Sequence, residues 1–123
     1  MKTIFQFDDY KNYMKEALSS QGQGSRIRLA EALNCQSAYI SQVLNQSAHL
    51  SLEQAAEASL FFNHNKEEED FFFLLVQLSK AGTARLQNIL KEKIKAIRER
   101  RSMFSTRMSN TDELDEVTQA QYY

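Results

Sequence analysis

Proline and tryptophan are absent from this chain of 123 residues, and glycine occurs only three times, as Gly22, Gly24 and Gly82. Helical segments are therefore rarely interrupted, because proline and glycine are the residues that break helices most strongly. Leucine, alanine, glutamate, lysine and glutamine, all good helix formers, are plentiful. The sequence predicts an all-α fold.

Long apolar runs are also missing. The longest uncharged apolar stretch, Phe71 to Val76, is too short to cross a bilayer. The N-terminus lacks the succession of basic, apolar and small residues that marks a signal peptide. The single cysteine, Cys35, cannot form an intramolecular disulfide, which is typical of a reducing compartment. We therefore expect a soluble cytoplasmic protein without membrane contact.

Apolar residues recur at three- and four-residue steps along most of the chain. Together with capping residues, such as Ser51 three residues before Gln54, they predict helices over residues 8–20, 25–33, 37–46, 51–62 and 66–81. The predicted domains are a five-helix bundle over 1–81, a basic amphipathic helix over 82–108 and a polar tail over 109–123. The apolar stripe of the sixth helix is expected to face away from its basic residues Lys91, Lys95, Arg98 and Arg101, and it comprises Leu86, Ile89, Leu90, Ile94, Ile97 and Phe104.

Residues 26–46 meet the steric requirements of a helix-turn-helix. Two short helices that cross steeply need a tiny residue on the first helix and a turn residue that tolerates a positive φ. Ala30 is the tiny residue, and Asn34 lies in the turn, where asparagine is the best substitute for the usual glycine. An ordinary helical hairpin is the alternative. The apolar positions of the motif fall at Leu29, Leu33, Cys35, Ile40 and Val43.

The outer face of the third predicted helix carries short side chains in place of the usual mixture of glutamate and lysine. Amide and hydroxyl groups of this kind bond base edges in the major groove of DNA. Gln42 is the chief candidate for base reading, because its amide can pair with adenine through two hydrogen bonds, whereas Ala38 can meet a thymine methyl group. The complete set of candidate base-reading residues is Ser37, Ala38, Ser41, Gln42 and Asn45.

Phosphate contacts are expected from residues at the ends of the same two helices. Arg26 and Gln36 are the main candidates because they begin these helices, while Arg28, Gln46 and His49 are weaker ones. Two roles are predicted for Tyr39, as a residue at the edge of the core or as a contact to the DNA backbone.

Several of these residues carry a resemblance to known proteins. Residues 26–62 resemble the helix-turn-helix of phage repressors and Cro, a bundle of about five helices whose third helix reads DNA. The stretch from Ile4 to Ala81 is similar to a bacterial family of proposed transcriptional regulators, in which this module precedes a larger domain of unknown function. The matching residues are Ile4-Phe5, Asp9-Tyr10-Lys11, Phe71-Phe72, Leu74-Leu75-Val76 and Ala81, together with Tyr122-Tyr123, which resembles the start of the downstream domain.

The resemblance implies a sequence-specific regulator that binds double-stranded DNA, needs no cofactor and is associated with the nucleoid. Repressor-type modules usually bind as pairs, so we also expect a homodimer. The chain before residue 65 has five Lys/Arg against six Asp/Glu, which is unusual for a DNA-binding module. This balance supports an alternative, a protein-interaction module that retains the fold without binding DNA.

The basic residues are concentrated late in the chain, with nine Lys/Arg against two Asp/Glu over residues 80–107. The basic face of this helix has two interpretations, as a contact to DNA phosphates or an acidic partner, and as a solvated helix face. Its apolar stripe either packs on its own domain or pairs with a second copy of the chain, and we favour dimerisation.

The remaining polar clusters do not indicate catalysis or metal binding. Cys35, His49 and His64 lack the spacing of zinc ligands, and the acids of residues 67–70 spread around a helix start without a histidine or lysine in register. The five phenylalanines between residues 61 and 73 are predicted to form core rather than a stacking surface for bases. We predict no enzymatic activity, no metal and no small-molecule ligand.

Overall fold

The computed structural model describes residues 2–114, with side chains described up to Ser105. This part of the chain is all-helical and contains no strand, which confirms the all-α prediction for it. Each of the first five predicted helices differs from the observed one by at most two residues at either end. The elements are a short 3₁₀ helix η1 (Ile4–Gln6) and the α-helices α1 (Tyr10–Gln21), α2 (Ser25–Ala32), α3 (Ser37–Asn45), α4 (Leu52–Phe61), α5 (Lys66–Lys80) and α6 (Ala84–Leu114).

None of the described helices combines the length and the apolar character needed to cross a membrane. The predictions made for residues 115–123, including the resemblance at Tyr122-Tyr123, lie outside the described residues.

Side chains fix the starts of α1, α4 and α5. The Asp9 carboxylate accepts a hydrogen bond from the Lys11 N–H at 2.9 Å and caps α1. The predicted capping box at α4 is confirmed: the Gln54 N–H donates to Ser51 Oγ at 3.1 Å, and the Ser51 N–H donates to Gln54 Oε1 at 2.9 Å. A second capping box, formed by Asn65 and Glu68, begins α5. The acids of residues 67–69 lie in the first turn of α5, where the helix dipole favours negative charge.

Two asparagines end helices in the same way. Asn34 follows α2 with a φ of 53°, and Asn63 follows α4 with a φ of 58°, so both adopt the left-handed conformation. After α2, the N–H of Cys35 donates to the carbonyl of Ala30 at 2.9 Å, which is the bond of a Schellman motif. The predicted positive φ at Asn34 is confirmed, whereas the equivalent turn at Asn63 was not predicted.

The core is formed by buried side chains from η1 and from all six α-helices. Ala30 is only 4% exposed, and Cys35 is half-buried against the core. The predicted apolar positions of residues 26–46 therefore face inward. The largest fully buried side chains are Tyr10, Met14, Leu29, Ile40, Val43, Leu44, Leu50, Phe71, Phe72, Leu75 and Val76.

Only part of the apolar stripe predicted for α6 is buried. Leu90, Ile94 and Ile97 pack inward, as expected. Leu86 and Ile89 are each 43% exposed, and Phe104 is 61% exposed. Helix α6 packs against α5 over a narrow seam, so residues that flank this seam remain in solvent.

The predicted orientation of two arginines of α6 was wrong. Arg98 and Arg101 were predicted to lie on the side of α6 opposite its apolar stripe. They instead contact the start of the chain. The Arg98 guanidinium donates to the carbonyl of Phe5 at 3.0 Å and to that of Phe7 at 2.7 Å, and Arg101 lies 3.7 Å above the Phe5 ring. These contacts join η1 to α6 across more than 90 residues of sequence.

Glu67, at the start of α5, holds two arginines of α6. Arg101 binds one carboxylate oxygen of Glu67 at 2.7 Å, and Arg100 binds the other at 3.3 Å. The hydrogen bond from Arg101 is the main cause that lowers the pKa of Glu67. Three of the basic residues of α6 are therefore occupied by contacts within the chain, whereas Lys91, Lys93 and Lys95 are exposed.

Candidate nucleic-acid interface

The connection between α2 and α3 positions α3 on the bundle. Because Asn34 turns left-handed directly after α2, the chain reverses within a few residues, and α3 begins at Ser37. Leu29 of α2 and Ile40 and Val43 of α3 are fully buried, which fixes the inner face of α3 against α1 and α2. The opposite face of α3 is thereby directed away from the core.

The side chains proposed for base reading share this outer face. Ser37, Ala38, Gln42 and Asn45 are exposed, and Ser41 is half-buried. Within the described part of the chain, none of their polar side-chain groups has a hydrogen-bond partner. Helix α6 leaves this face open, since it packs chiefly on α5. The polar groups of the face are therefore available to an external partner.

Three of the proposed phosphate-binding residues have exposed side chains. Arg26 is exposed at the start of α2, and Gln36 is exposed at the N-cap of α3, where its side chain does not cap the helix. Gln46 is exposed at the C-cap of α3. Gln36 and Gln46 therefore lie at the two ends of α3.

Arg28 and Tyr39, also proposed as phosphate contacts, are engaged within the chain. The Arg28 guanidinium donates to the carbonyl of Gln23 at 3.2 Å, so it supports the connection between α1 and α2. The Tyr39 side chain is half-buried, and its hydroxyl donates to the carbonyl of His49. Tyr39 therefore fits the predicted role of a residue at the edge of the core.

His49, the weakest of these candidates, is tied to the core. Its Nδ1 lies 2.9 Å from the hydroxyl of Tyr10, and burial is the main cause that lowers the pKa of its imidazole. Burial also raises the pKa of Tyr10 to about 12. The Tyr10 hydroxyl in turn accepts a hydrogen bond from the N–H of Leu50 at 3.2 Å. This network attaches the loop after α3 to α1.

Two lysines that were not among the predicted phosphate contacts lie at the same loop. Lys11 of α1 donates to the carbonyl of Gln46 at 2.7 Å and to that of Ala48 at 2.8 Å. Lys80, at the end of α5, donates to the carbonyl of Leu50 at 3.0 Å. The sequence offers no local signal for this arrangement, because each lysine is at least 30 residues from the carbonyl that it binds.

The second histidine belongs to a separate network inside the bundle. His64 Nε2 lies 2.7 Å from the Tyr13 hydroxyl, and His64 Nδ1 lies 2.9 Å from Ser59 Oγ. Burial lowers the pKa of His64 and raises the pKa of Tyr13 to about 12. Both ring nitrogens are thus occupied by hydroxyl groups. No group of three or more potential metal ligands occurs among the described residues.

Comparisons of the chain with protein-family models, with curated proteins and with solved structures find no match. The resemblance to the repressor-type module therefore stays a prediction.

Proposed function

We propose that this protein is a sequence-specific regulator of transcription that binds double-stranded DNA and inserts α3 into the major groove. In this proposal, α1 to α5 form a repressor-like five-helix bundle, and α2 and α3 form its helix-turn-helix. One observation supports the proposal most strongly. The inner face of α3 is fully buried, while the amide and hydroxyl groups of its outer face have no partner within the described residues.

The dimensions of α3 suit this role. A helix with its side chains is about 10–12 Å across, and the major groove is about 12 Å wide, so only short side chains let a helix approach the base edges closely. Gln42 lies near the middle of the outer face, where a bidentate contact to adenine is possible. Ser37, Ser41 and Asn45 lie on either side of it and supplement the reading.

Phosphate contacts at both ends of α3 position it in the groove. The N-termini of α2 and α3 carry positive partial charge from the helix dipole, and Arg26 adds a full charge beside them. Such contacts hold the register of the protein on the duplex but do not read its sequence. Arg26 is therefore assigned a sequence-independent role.

A protein-interaction module with the same fold is the second candidate function. Its support comes from the acidic balance of the first 64 residues and from exposed apolar side chains on two helices. Ile27 of α2 is 58% exposed, and Leu60 of α4 is 72% exposed. Single exposed apolar side chains are common on protein surfaces, so they give the protein-interaction function little support.

The proposal is tested by selecting bound duplexes from a random DNA pool and measuring affinity for the selected sequence and for sheared genomic DNA. We expect Gln42→Ala to cost about 1–3 kcal/mol on the selected sequence and nearly nothing on genomic DNA. Arg26→Ala should weaken binding to both. Gln77→Ala on α5, the same substitution away from α3, serves as the matched control and should change neither affinity.

Two results contradict the assignment of function. Equal losses on both DNAs from Gln42→Ala would remove its role in base reading. Binding that is absent or independent of salt concentration would favour the protein-interaction module, because contacts to phosphates always release counterions.

A further inference from the structure

The loop that follows α3, residues 46–50, is held by cations from two distant helices. Lys11 Nζ lies 2.7 Å from the carbonyl oxygen of Gln46, and Lys80 Nζ lies 3.0 Å from that of Leu50. Gln46 is the C-cap of α3, so the Lys11 ammonium sits at the C-terminal end of this helix, where the helix dipole favours positive charge. Lys11 and Lys80 are called the lysine pair below.

The lysine pair has hydrogen-bonding capacity left over. An ammonium group has three N–H donors. Lys11 uses two of them, on the carbonyls of Gln46 and Ala48, and Lys80 uses one, on Leu50. Lys80 is exposed and Lys11 is half-buried. Three donors therefore remain for an external acceptor, next to solvent.

The charge of the lysine pair is not neutralised within the described part of the chain. Neither lysine forms a salt bridge there. Asp9, two residues before Lys11, uses its carboxylate to accept the N–H of Lys11 and to cap α1. Two positive charges thus lie at the loop that follows α3, beyond the last of the proposed base-reading residues.

We propose that the lysine pair contacts phosphates of the DNA backbone beside the groove that receives α3. This inference rests on the proposed function. It adds two phosphate-binding residues, Lys11 and Lys80, and places them at the C-terminal end of α3. The nine residues of α3 span about 13 Å, which matches a groove about 12 Å wide, so the ends of α3 lie near the phosphate rows. The lysine pair serves the C-terminal end, as Arg26 and Gln36 serve the N-terminal ends of α2 and α3.

The lysine pair also explains why a short, otherwise polar loop is ordered. The carbonyls of Gln46, Ala48 and Leu50 are bound by lysines of α1 and α5, so a phosphate that binds both ammonium groups is held against two helices at once. The two functions of each lysine, anchoring the loop and binding phosphate, are separable by experiment because only the second depends on salt.

The test measures affinity for sheared genomic DNA at several salt concentrations, since phosphate contacts do not depend on sequence. The logarithm of the affinity falls with the logarithm of the salt concentration by about 0.9 for each phosphate neutralised. We expect Lys11→Gln and Lys80→Gln each to reduce this slope by about 0.9, and Lys11→Arg to keep it. Lys66→Gln, the same charge change at the far end of α5, should leave the slope unchanged.

The outcomes distinguish the inference from the proposed function. If the unaltered protein binds no DNA at any salt concentration, the proposed function fails. If it binds, but Lys11→Gln lowers affinity without changing the slope, the lysine only anchors the loop and the inference is wrong. An equal change of slope in Lys66→Gln would also overturn it, because the effect would then reflect net charge alone. Thermal unfolding followed by circular dichroism confirms that each variant is folded.

Discussion

At the scale of single residues, Asn34 and Asn63 end helices by adopting the left-handed conformation. Each lies between a helix that ends and a helix that begins within three residues. The left-handed conformation costs most residues with a Cβ atom about 1–2 kcal/mol of conformational free energy. Glycine, which has no Cβ atom, and asparagine adopt it more readily. The identity of residue 34 therefore decides how closely α3 follows α2.

Replacing Asn34 tests this role. We expect Asn34→Ala to lower the free energy of unfolding by about 1 kcal/mol, because alanine tolerates the φ of 53° poorly. Asn34→Gly should change it by less than about 0.5 kcal/mol, since glycine fits the turn but gains freedom in the unfolded chain. Urea unfolding measures both. Asn88→Ala, at an exposed position in the second turn of α6, is the control and should be neutral or stabilising. A loss of equal size there would contradict this role of Asn34.

His64 gives the stability of the protein a dependence on pH. Burial lowers the pKa of His64 in the folded state, so the unfolded state binds the proton more readily. The neutral ring therefore contributes stability above the unfolded pKa of about 6.5, and this contribution is lost as the pH falls below that value toward the folded pKa. We expect the free energy of unfolding to decrease from pH 7 to pH 5.

The variant His64→Gln isolates this contribution, since glutamine does not titrate while His49 remains in both proteins. The decrease between pH 7 and pH 5, measured by urea unfolding, should be smaller in the variant. An identical decrease in the two proteins would show that His64 is not responsible.

At the scale of helices and turns, local chemistry accounts for what the sequence could predict. Periodicity located the first five helices within two residues, and the capping box at Ser51 and the turn at Asn34 were recognised because their bonds join near neighbours. The outer face of α3 was predictable for the same reason, since its buried partners fall within its own turns.

Contacts between distant segments were not predictable. Arg98 binds the carbonyls of Phe5 and Phe7, which are more than 90 residues away, and this contact depends on a packing of helices that the sequence pattern does not give. The contacts of the lysine pair were not predicted for the same reason, because each lysine binds a carbonyl at least 30 residues away. The periodicity of α6 predicted an amphipathic helix, but the width of the buried stripe is set by α5, which leaves Leu86 and Ile89 exposed.

The junction between η1 and α6 yields a prediction at this scale. Arg98 donates to two backbone carbonyls and lies over the Phe71 ring, 5.4 Å from its centroid. We expect Arg98→Ala to lower the free energy of unfolding by about 1–2 kcal/mol, a value that allows for the partial exposure of the side chain. Hydrogen exchange should become faster within α6.

Lys95→Ala provides the comparison on the same helix. Lys95 forms only an exposed ion pair with Glu99 at 3.9 Å, so its removal should cost less than about 0.5 kcal/mol. Equal protection of α6 in the Arg98 and Lys95 variants would mean that the arginine does not hold the helix.

At the scale of the whole molecule, α6 shares the core of the bundle. Leu90, Ile94 and Ile97 are buried, and the last two join the cluster that contains Phe71 and Leu75. Burying one such side chain contributes about 1.5–3 kcal/mol, whereas a whole domain is stable by only about 5–15 kcal/mol. The predicted boundary at residue 82 therefore does not mark a part that the bundle can lose without cost.

Truncation tests the contribution of α6. We expect a chain that ends at Thr83 to lose most or all of its cooperative thermal unfolding, because the α5 surface that α6 covers becomes exposed. A chain that ends at Ser105 keeps the three buried residues and should unfold much as the full chain does. A shorter chain that melts cooperatively at the same temperature as the longer one would contradict this expectation.

The junction of η1 with α6 also determines where a fused label emerges. Thr3 and Ile4 lead directly into the segment that Arg98 and Arg101 hold, whereas α3 packs on α1 and α2. A peptide tag attached ahead of Lys2 therefore leaves the protein next to α6. We therefore expect immobilisation on a sensor surface through such a tag to leave the side chains of α3 accessible to a duplex in the flow.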